Sequence, residues 1–521
     1  MLVAKSKAAD FKVFNHLYLP IAICAALGVL CVTPGIRQNS TLLISLLSAS
    51  ACLAFWFLVL VAANRKALAS FSLRFLPRQQ HYLQALVQIS VFGYWGYYWS
   101  PVFEHASLIV AQLLFAYAFD MLLSWTRGRQ YVLGFGPLPI IFSINLFLWF
   151  KDDWFYLQFI MIAIGFMGKE FIRWSRDGQW VHIFNPSAFA LGLFSLLLIV
   201  TGTTDLTWGQ EIASTLTLAP SIYLFLFLVG LVVMYFFAIT LVAMTAAATL
   251  FGLSAIYSAI QGVPYFLDSE IPAAVFLGLH LLITDPSTSP RSLFGKAIFG
   301  SLYGLGVFGL YALLTLIGVP TFYDKLLCVP LLNLSVIGID RFAKLVEFNF
   351  TAKSKWLSNL SWGRLNLSFM AIWIIFFGLM AMLGKTDAMH EGDSVPYWES
   401  ACAENKSHAC ERLVLIEQSY CTDGSAWACN EIGIHQGQGI IGEKNTELAL
   451  SYFLRACELR FQAACQNLLQ PDGLLHSRPK MLDLRLMLRE GGQNLMTMEE
   501  SELMRRACVH GWQFACISQD L

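Results

Sequence analysis

The chain has 521 residues, 57% of them hydrophobic and 13% charged, and its formal net charge is zero. Soluble domains carry roughly 25% charged residues, so the composition excludes an ordinary soluble protein and puts most of the chain in a bilayer. The neutral balance offers nothing to nucleic acid.

Lys5, Lys7 and Lys12 precede the first apolar run, which starts near Phe14. That run lacks a small-residue cleavage site, so it reads as a retained anchor rather than a signal peptide. A membrane span needs about 20 mostly apolar residues. Thirteen segments are read as spans: 14–33, 41–63, 82–99, 105–125, 132–150, 154–172, 185–201, 218–237, 239–261, 270–284, 297–318, 325–341 and 367–384. The eighth and ninth are the hardest to separate, because no charged residue lies between Glu211 and Asp268. After Lys385 the chain turns polar, which marks a boundary between a membrane region and a soluble tail.

The positive-inside rule orients the spans. With the N-terminus in the cytoplasm, nineteen Lys and Arg fall on the inner side and three (Arg37, Lys151, Lys325) on the outer side. The tail is then extracytoplasmic. Its eight cysteines form four pairs spaced by eight: Cys402/Cys410, Cys421/Cys429, Cys457/Cys465 and Cys508/Cys516. Zinc sites favour closer C-x2-4-C spacing, whereas an even number of regularly spaced cysteines favours disulfides. Free buried thiols are the remaining alternative. Disulfides need an oxidising compartment, in agreement with the charge count. The second and third pairs repeat after 36 residues, the mark of a helical-repeat array. The last pair breaks the period, which predicts an insertion around Pro471–Leu488.

The segment from Ala428 to Leu468 resembles SEL-like repeats of the cysteine-rich, tetratricopeptide-related kind. That resemblance implies that each C-x7-C pair ties one helix to the next. In the membrane region four stretches stand in a telling order: Leu133–Phe150 (LGFGPLPIIFSINLFLWF), His182–Gly192 (HIFNPSAFALG), Leu281–Gly300 with its TDPSTSP turn, and Pro330–Phe342 (PLLNLSVIGIDRF). Together they resemble the RnfD/NqrB family, membrane subunits of Rnf electron-transport complexes and of sodium-pumping NADH:quinone oxidoreductases, especially its stand-alone members. The resemblance covers roughly 82–342. It implies an all-α membrane protein of about thirteen spans around a ten-helix core of two inverted halves. The implied domains are a two-helix addition (1–81), the core (82–342), a linker with the last span (343–385) and the repeat domain (386–521). Inverted halves place sites at interrupted helices, and the GFGPLPIIFSIN and DSEIPAAVFLGLH stretches are faint echoes of each other.

The family's known chemistry implies a flavin, FMN or riboflavin, near Asn185, Pro186, Ser187, His280, Thr284, Asp285, Thr288 and Asn333. Related subunits carry flavin mononucleotide esterified to threonine in an S-x-A-T motif in an outer loop. The matching connection here, Gly202–Leu218, has no such motif. Thr204 and Thr215 are the nearest candidates, and a non-covalent flavin is expected. Each residue also has a structural reading: Asn185 as a helix cap, His280 as a hydrogen-bonded core imidazole, Asp285 as a turn cap, and Asp340 with Arg341 as markers of the membrane edge. No clustered thiolates suggest an iron–sulfur site, and no zinc is expected. Two function classes follow. One is a flavin-dependent electron-transfer subunit in a bacterial inner membrane, working with other redox subunits. The other is a non-redox inverted-repeat transporter or channel, or an anchor presenting a protein-binding repeat domain.

Overall fold

The computed structural model describes residues 18–64, 71–176, 178–267, 269–350, 362–386, 390–440, 442–470, 474–488 and 495–517. The inner-side charges expected at Lys5, Lys7, Lys12, Arg65, Lys66, Lys353 and Lys355 lie outside these residues. Each of the thirteen predicted segments holds a helix. Six helical stretches are long and apolar enough to cross a membrane: Ser40–Ala63, Ala106–Thr126, Thr240–Gln261, Leu293–Leu316, Thr321–Val346 and Gly363–Met382. A seventh joins them if the bent pair Gly209–Leu218 and Ile222–Phe237 is one span.

Two of the predicted segments are cut short for a physical reason. Segment 132–150 has Pro137–Asn145 as its helix, and segment 270–284 has Ala273–Leu281. Nine residues rise about 14 Å in an α-helix, roughly half of a hydrocarbon core about 30 Å thick. Each helix begins at a proline, Pro137 at the first position and Pro272 just before Ala273. A proline has no backbone N–H to continue a preceding turn.

The all-helical expectation needs one amendment. Strand β1 (Leu73–Phe75) pairs in parallel with β2 (Tyr131–Leu133), and β3 (Arg173–Arg176) pairs antiparallel with β4 (Gln179–His182). The second ribbon turns through Gly178 at φ +76°, and Asp-Gly is a strong hairpin signal.

Packing divides the chain into two compact units. The first takes the residues up to Leu216 together with Leu224–Leu250 and Ala274–Gly378. In it, the helix Pro186–Thr201 crosses Asp324–Phe350 where Gly192 meets Pro330. A Cβ on Gly192 would lie 2.6 Å from Pro330 Cγ and 2.9 Å from the Leu326 carbonyl oxygen. Only glycine permits that approach, and it brings the Asn-Pro turn against the Asn333 region.

The second unit combines Thr217–Tyr223, Phe251–Ala273 and Leu379–Leu521. Its helices Val395–Ala403, Ala409–Thr422, Ala426–Gln438, Thr446–Glu458, Gln462–Leu469, Met481–Met487, Glu500–Val509 and Gln513–Ile517 follow one another as short antiparallel hairpins. Ser394, Ser425 and Asn445 cap three of them by accepting from backbone N–H groups of the first turn.

All four C-x7-C pairs are disulfides: Cys402–Cys410, Cys421–Cys429, Cys457–Cys465 and Cys508–Cys516, with Cα separations of 4.6, 4.7, 4.8 and 4.7 Å. The alternative of free thiols is thereby set aside for these eight positions. The first cysteine of each pair lies near the end of one helix. Its partner stands in the next: Cys410 in Ala409–Thr422, Cys429 in Ala426–Gln438, Cys465 in Gln462–Leu469 and Cys516 in Gln513–Ile517. The four bonds differ in setting. Cys421 and Cys429 are buried in the core, whereas Cys410, Cys465 and Cys516 are only half-buried.

The buried core includes Trp398, Leu413, Tyr420, Trp427 and Ala456, and Val263 from the upstream segment belongs to it. Glu270 of that segment accepts from Ser254 Oγ at 2.7 Å and pairs with Lys385 Nζ at 2.8 Å. The expected insertion is a strap outside any helix or strand, 474–480, followed by the helix Met481–Met487.

Candidate functional site at the Asn-Pro and Asp-Pro turns

Asn185 caps the helix Pro186–Thr201, its side-chain oxygen accepting from the Ser187 and Ala188 N–H groups and from Ser187 Oγ. Pro186 takes the first helical position, where its missing N–H costs nothing. Asn185 does more than cap. Its N–H donates to Asn333 Oδ1 at 3.1 Å, and its Nδ2 donates to the Leu282 carbonyl at 3.2 Å. Asn333 Nδ2 in turn donates to the Thr288 carbonyl at 3.4 Å. Three motifs far apart in sequence thus share one buried hydrogen-bond circuit.

The Asp285 turn closes beside it. Asp285 Oδ1 accepts from Ser287 N–H at 2.9 Å and Ser287 Oγ at 2.6 Å, and the Asp285 carbonyl accepts from Ser289 Oγ at 2.7 Å. His182 Nε2, on β4, lies 2.9 Å from Ser287 Oγ and 3.8 Å from Asp285 Oδ2. Arg176, on β3 and nearly buried, donates to the Ser289 carbonyl at 3.0 Å and to Asp340 Oδ2 at 2.6 Å. Asp340 also accepts from the Arg291 N–H at 3.1 Å. Asp340 is therefore no mere edge marker. It is the counter-charge that holds the hairpin on the Asp285 turn.

Arg176, His182, Ser287 and Ser289 were not singled out by sequence, and Asp340 was read only as an edge marker. The signal for Arg176 and His182 was the Asp-Gly hairpin, which places both on one ribbon; Ser287 and Ser289 were in plain sight inside TDPSTSP. Two predicted residues sit apart from the circuit. The Thr284 hydroxyl donates back to the His280 carbonyl at 2.6 Å. His280 is fully buried, with Nδ1 2.7 Å from the Phe276 carbonyl oxygen and its ring packed against Gly230. Its Nε2 has no hydrogen-bond partner among the described residues. Thr215 is half-buried; its hydroxyl donates to the Glu211 carbonyl at 2.6 Å and accepts from Trp95 Nε1 at 3.3 Å. Thr204 opens a short 3-10 turn at Thr204–Leu206. The tail cysteines, Cys410, Cys465 and Cys516 among them, are consumed in disulfides and offer no thiolate to a site.

A second polar cluster, also unforeseen, surrounds the nine-residue helix Pro137–Asn145. Asn145 and Gln112 exchange hydrogen bonds at 3.0 and 2.6 Å, and Gln158 Nε2 donates to Gln112 Oε1 at 3.2 Å. Gln88 Nε2 donates to Ser143 Oγ at 2.8 Å, and its Oε1 has no partner among the described residues. Gln88, Gln112, Asn145 and Gln158 are all 0% exposed. Spread over four segments, they have no sequence spacing to announce them.

For a flavin, the donor set at the turns fits the polar edge of an isoalloxazine ring. A ring N–H would meet an acceptor in Asp285, and Ser287 and His182 can donate or accept. Arg176 is committed to Asp340 and to backbone carbonyls, so the cluster supplies hydrogen-bonding edges rather than a charge for a phosphate. Comparison with known protein families, curated proteins and solved structures finds no match for this chain.

Proposed function

We propose that this is a membrane-embedded electron-transfer subunit that holds a flavin non-covalently at the Asn-Pro and Asp-Pro turns. The observation that supports it is the circuit joining Asn185, Asn333 and Thr288 beside the His182–Ser287–Asp285 contact. The Asn185–Asn333 bond fixes the turns against each other. His182, Ser287 and Asp285 face the ring edge, and Asp285 carries the negative charge that favours a protonated ring nitrogen. A bound flavin would supply the one- and two-electron chemistry, with the protein supplying orientation and electrostatics.

The proposed setting is a bacterial inner membrane, with the N-terminus cytoplasmic, the disulfide-bonded repeat domain outside, and other redox subunits as partners. The two nine-residue helices correspond to the two sequence echoes, and we take them as the interrupted elements of two inverted halves. Purified protein should absorb between about 350 and 500 nm with a flavin spectrum that is lost on denaturation and filtration. A colourless, folded protein ends this reading. The transporter alternative is favoured by one observation, the buried amide cluster of Gln112, Asn145 and Gln158, since buried polar groups within a membrane default to function. Colourless protein whose transport activity collapses on Asn145→Leu would establish it instead.

A further inference from the structure

The repeat unit carries a groove of about 570 Å³ between the helix Val395–Ala403, the helix Ala426–Gln438, the strap 474–480 and the C-terminal helix. That volume lies within the range of roughly 300–1,000 Å³ typical of ligand pockets. One side is aromatic. Trp427 meets Trp512 edge-on at 5.2 Å between ring centroids, and Trp512 meets Phe514 at 5.8 Å. The other side is acidic, from Glu399 and Glu431. Glu431 pairs with His476 Nδ1 at 2.7 Å. Glu399 makes no hydrogen bond or ion pair with any described residue. Its carboxyl is pushed up to about 7, first by burial and then by the charge of Glu431, against a smaller opposing pull from His435 and His476. A half-buried, unpaired carboxylate is costly unless a cation meets it.

The strap provides a second and independent observation. It is a stretch of backbone outside any helix or strand, held on this array by hydrogen bonds. Asn467 Oδ1 accepts from the Leu475 N–H at 2.7 Å, and Asn430 and Asn467 Nδ2 donate to the Leu475 carbonyl at 3.3 and 3.1 Å. Trp427 Nε1 donates to the Ser477 carbonyl at 2.7 Å. This surface already hydrogen-bonds a non-helical main chain, and the groove, which Ser477 also lines, opens beside that track.

We propose that the groove binds an extended peptide segment of a partner protein through one lysine or arginine, whose charge pairs with Glu399 and whose aliphatic stem lies on Trp427 and Trp512. Charge complementarity selects the occupant. An ammonium or guanidinium relieves the unpaired carboxylate, and an aromatic face attracts the same cation. Arg478 stands 5.7 Å from the Phe514 ring centroid, which marks the far end of the groove as already cationic and directs the incoming charge toward Glu399.

The test is fluorescence anisotropy on the detergent-solubilised full chain with its disulfides intact. The probe is an end-blocked, labelled heptapeptide with one central lysine, compared with the same peptide carrying methionine or glutamate there. The lysine peptide should bind about tenfold tighter than either, and Glu399→Gln should reduce it to the methionine level. Glu404→Gln, on the exposed surface, should change nothing, and far-UV circular dichroism reports whether Glu399→Gln remains folded. Equal binding of the three peptides, no binding of the lysine peptide, or an unaffected folded Glu399→Gln variant would each overturn the proposal. None of these outcomes depends on whether the membrane unit holds a flavin.

Discussion

One buried polar cluster in each unit shows a different chemistry. Around the helix Pro137–Asn145 the buried groups are neutral amides that satisfy one another, Gln112 with Asn145 and Gln158. In the repeat unit they are acids and imidazoles, with fully buried Glu417 2.9 Å from His435 Nδ1. A neutral amide carries no Born penalty, whereas a charge in a low dielectric costs several kcal/mol unless paired. In lipid no water is available to share that cost. The second unit pairs its buried acid with an imidazole and adds covalent ties. The contrast teaches that the first unit should respond to the loss of a partner, and the second to redox state and pH.

The largest expected effect tests a charged pair of the first unit, the nearly buried Arg176–Asp340. Asp340→Ala strands the guanidinium and should cost about 3–5 kcal/mol, read as a lowered unfolding midpoint in detergent. A variant replacing both residues with apolar ones should recover much of the loss. If Asp340→Ala is neutral, the hairpin is not held as described.

Next in size is the covalent tie. Replacing Cys421 and Cys429 together by serine should lower the stability of the repeat unit by about 2–4 kcal/mol. Reductant should lower the melting temperature of that unit and leave the helical signal of the membrane spans in place. Non-reducing peptide mapping that recovers free thiols at the eight tail positions would remove the basis of this prediction.

The smallest effect is the most diagnostic of the contrast. Burial pushes Glu417 up to about 7; burial also pulls His435 down, but its hydrogen bond to Glu417 together with the charges of Glu417, Glu431 and Glu399 raises it on balance. Both shifts mean that the folded pair holds its proton more tightly than the unfolded chain does. Stability from this pair is therefore full below the ordinary carboxylate range and is lost as pH rises through about 7. The change should be on the order of 2 kcal/mol between acid and mildly alkaline solution. Glu417→Gln should flatten the profile. A repeat unit that gains stability with rising pH would contradict the assignment.

Linear pattern alone revealed where the chain is apolar, which cysteines pair and where the cysteine spacing departs from its 36-residue period. These are local properties: hydropathy is a sum over neighbours, and an eight-residue cysteine spacing bridges one helix hairpin. The family resemblance also drew attention to Asn185, Asp285 and Asn333, the first two of which stand in Asn-Pro and Asp-Pro dipeptides that suit caps and turns. Both missed that Asp340 is brought to Arg176, that Asn145 is brought to Gln112, and that Glu399 and Trp427 are brought to line one groove. Those pairings join residues that are 164, 33 and 28 positions apart. Nothing in a linear pattern ranks one such partner above another, because the choice depends on which helices pack together. Only the tertiary structure decided it, at contacts as specific as Gly192 against Pro330, where a single added methyl group would hold the two helices apart.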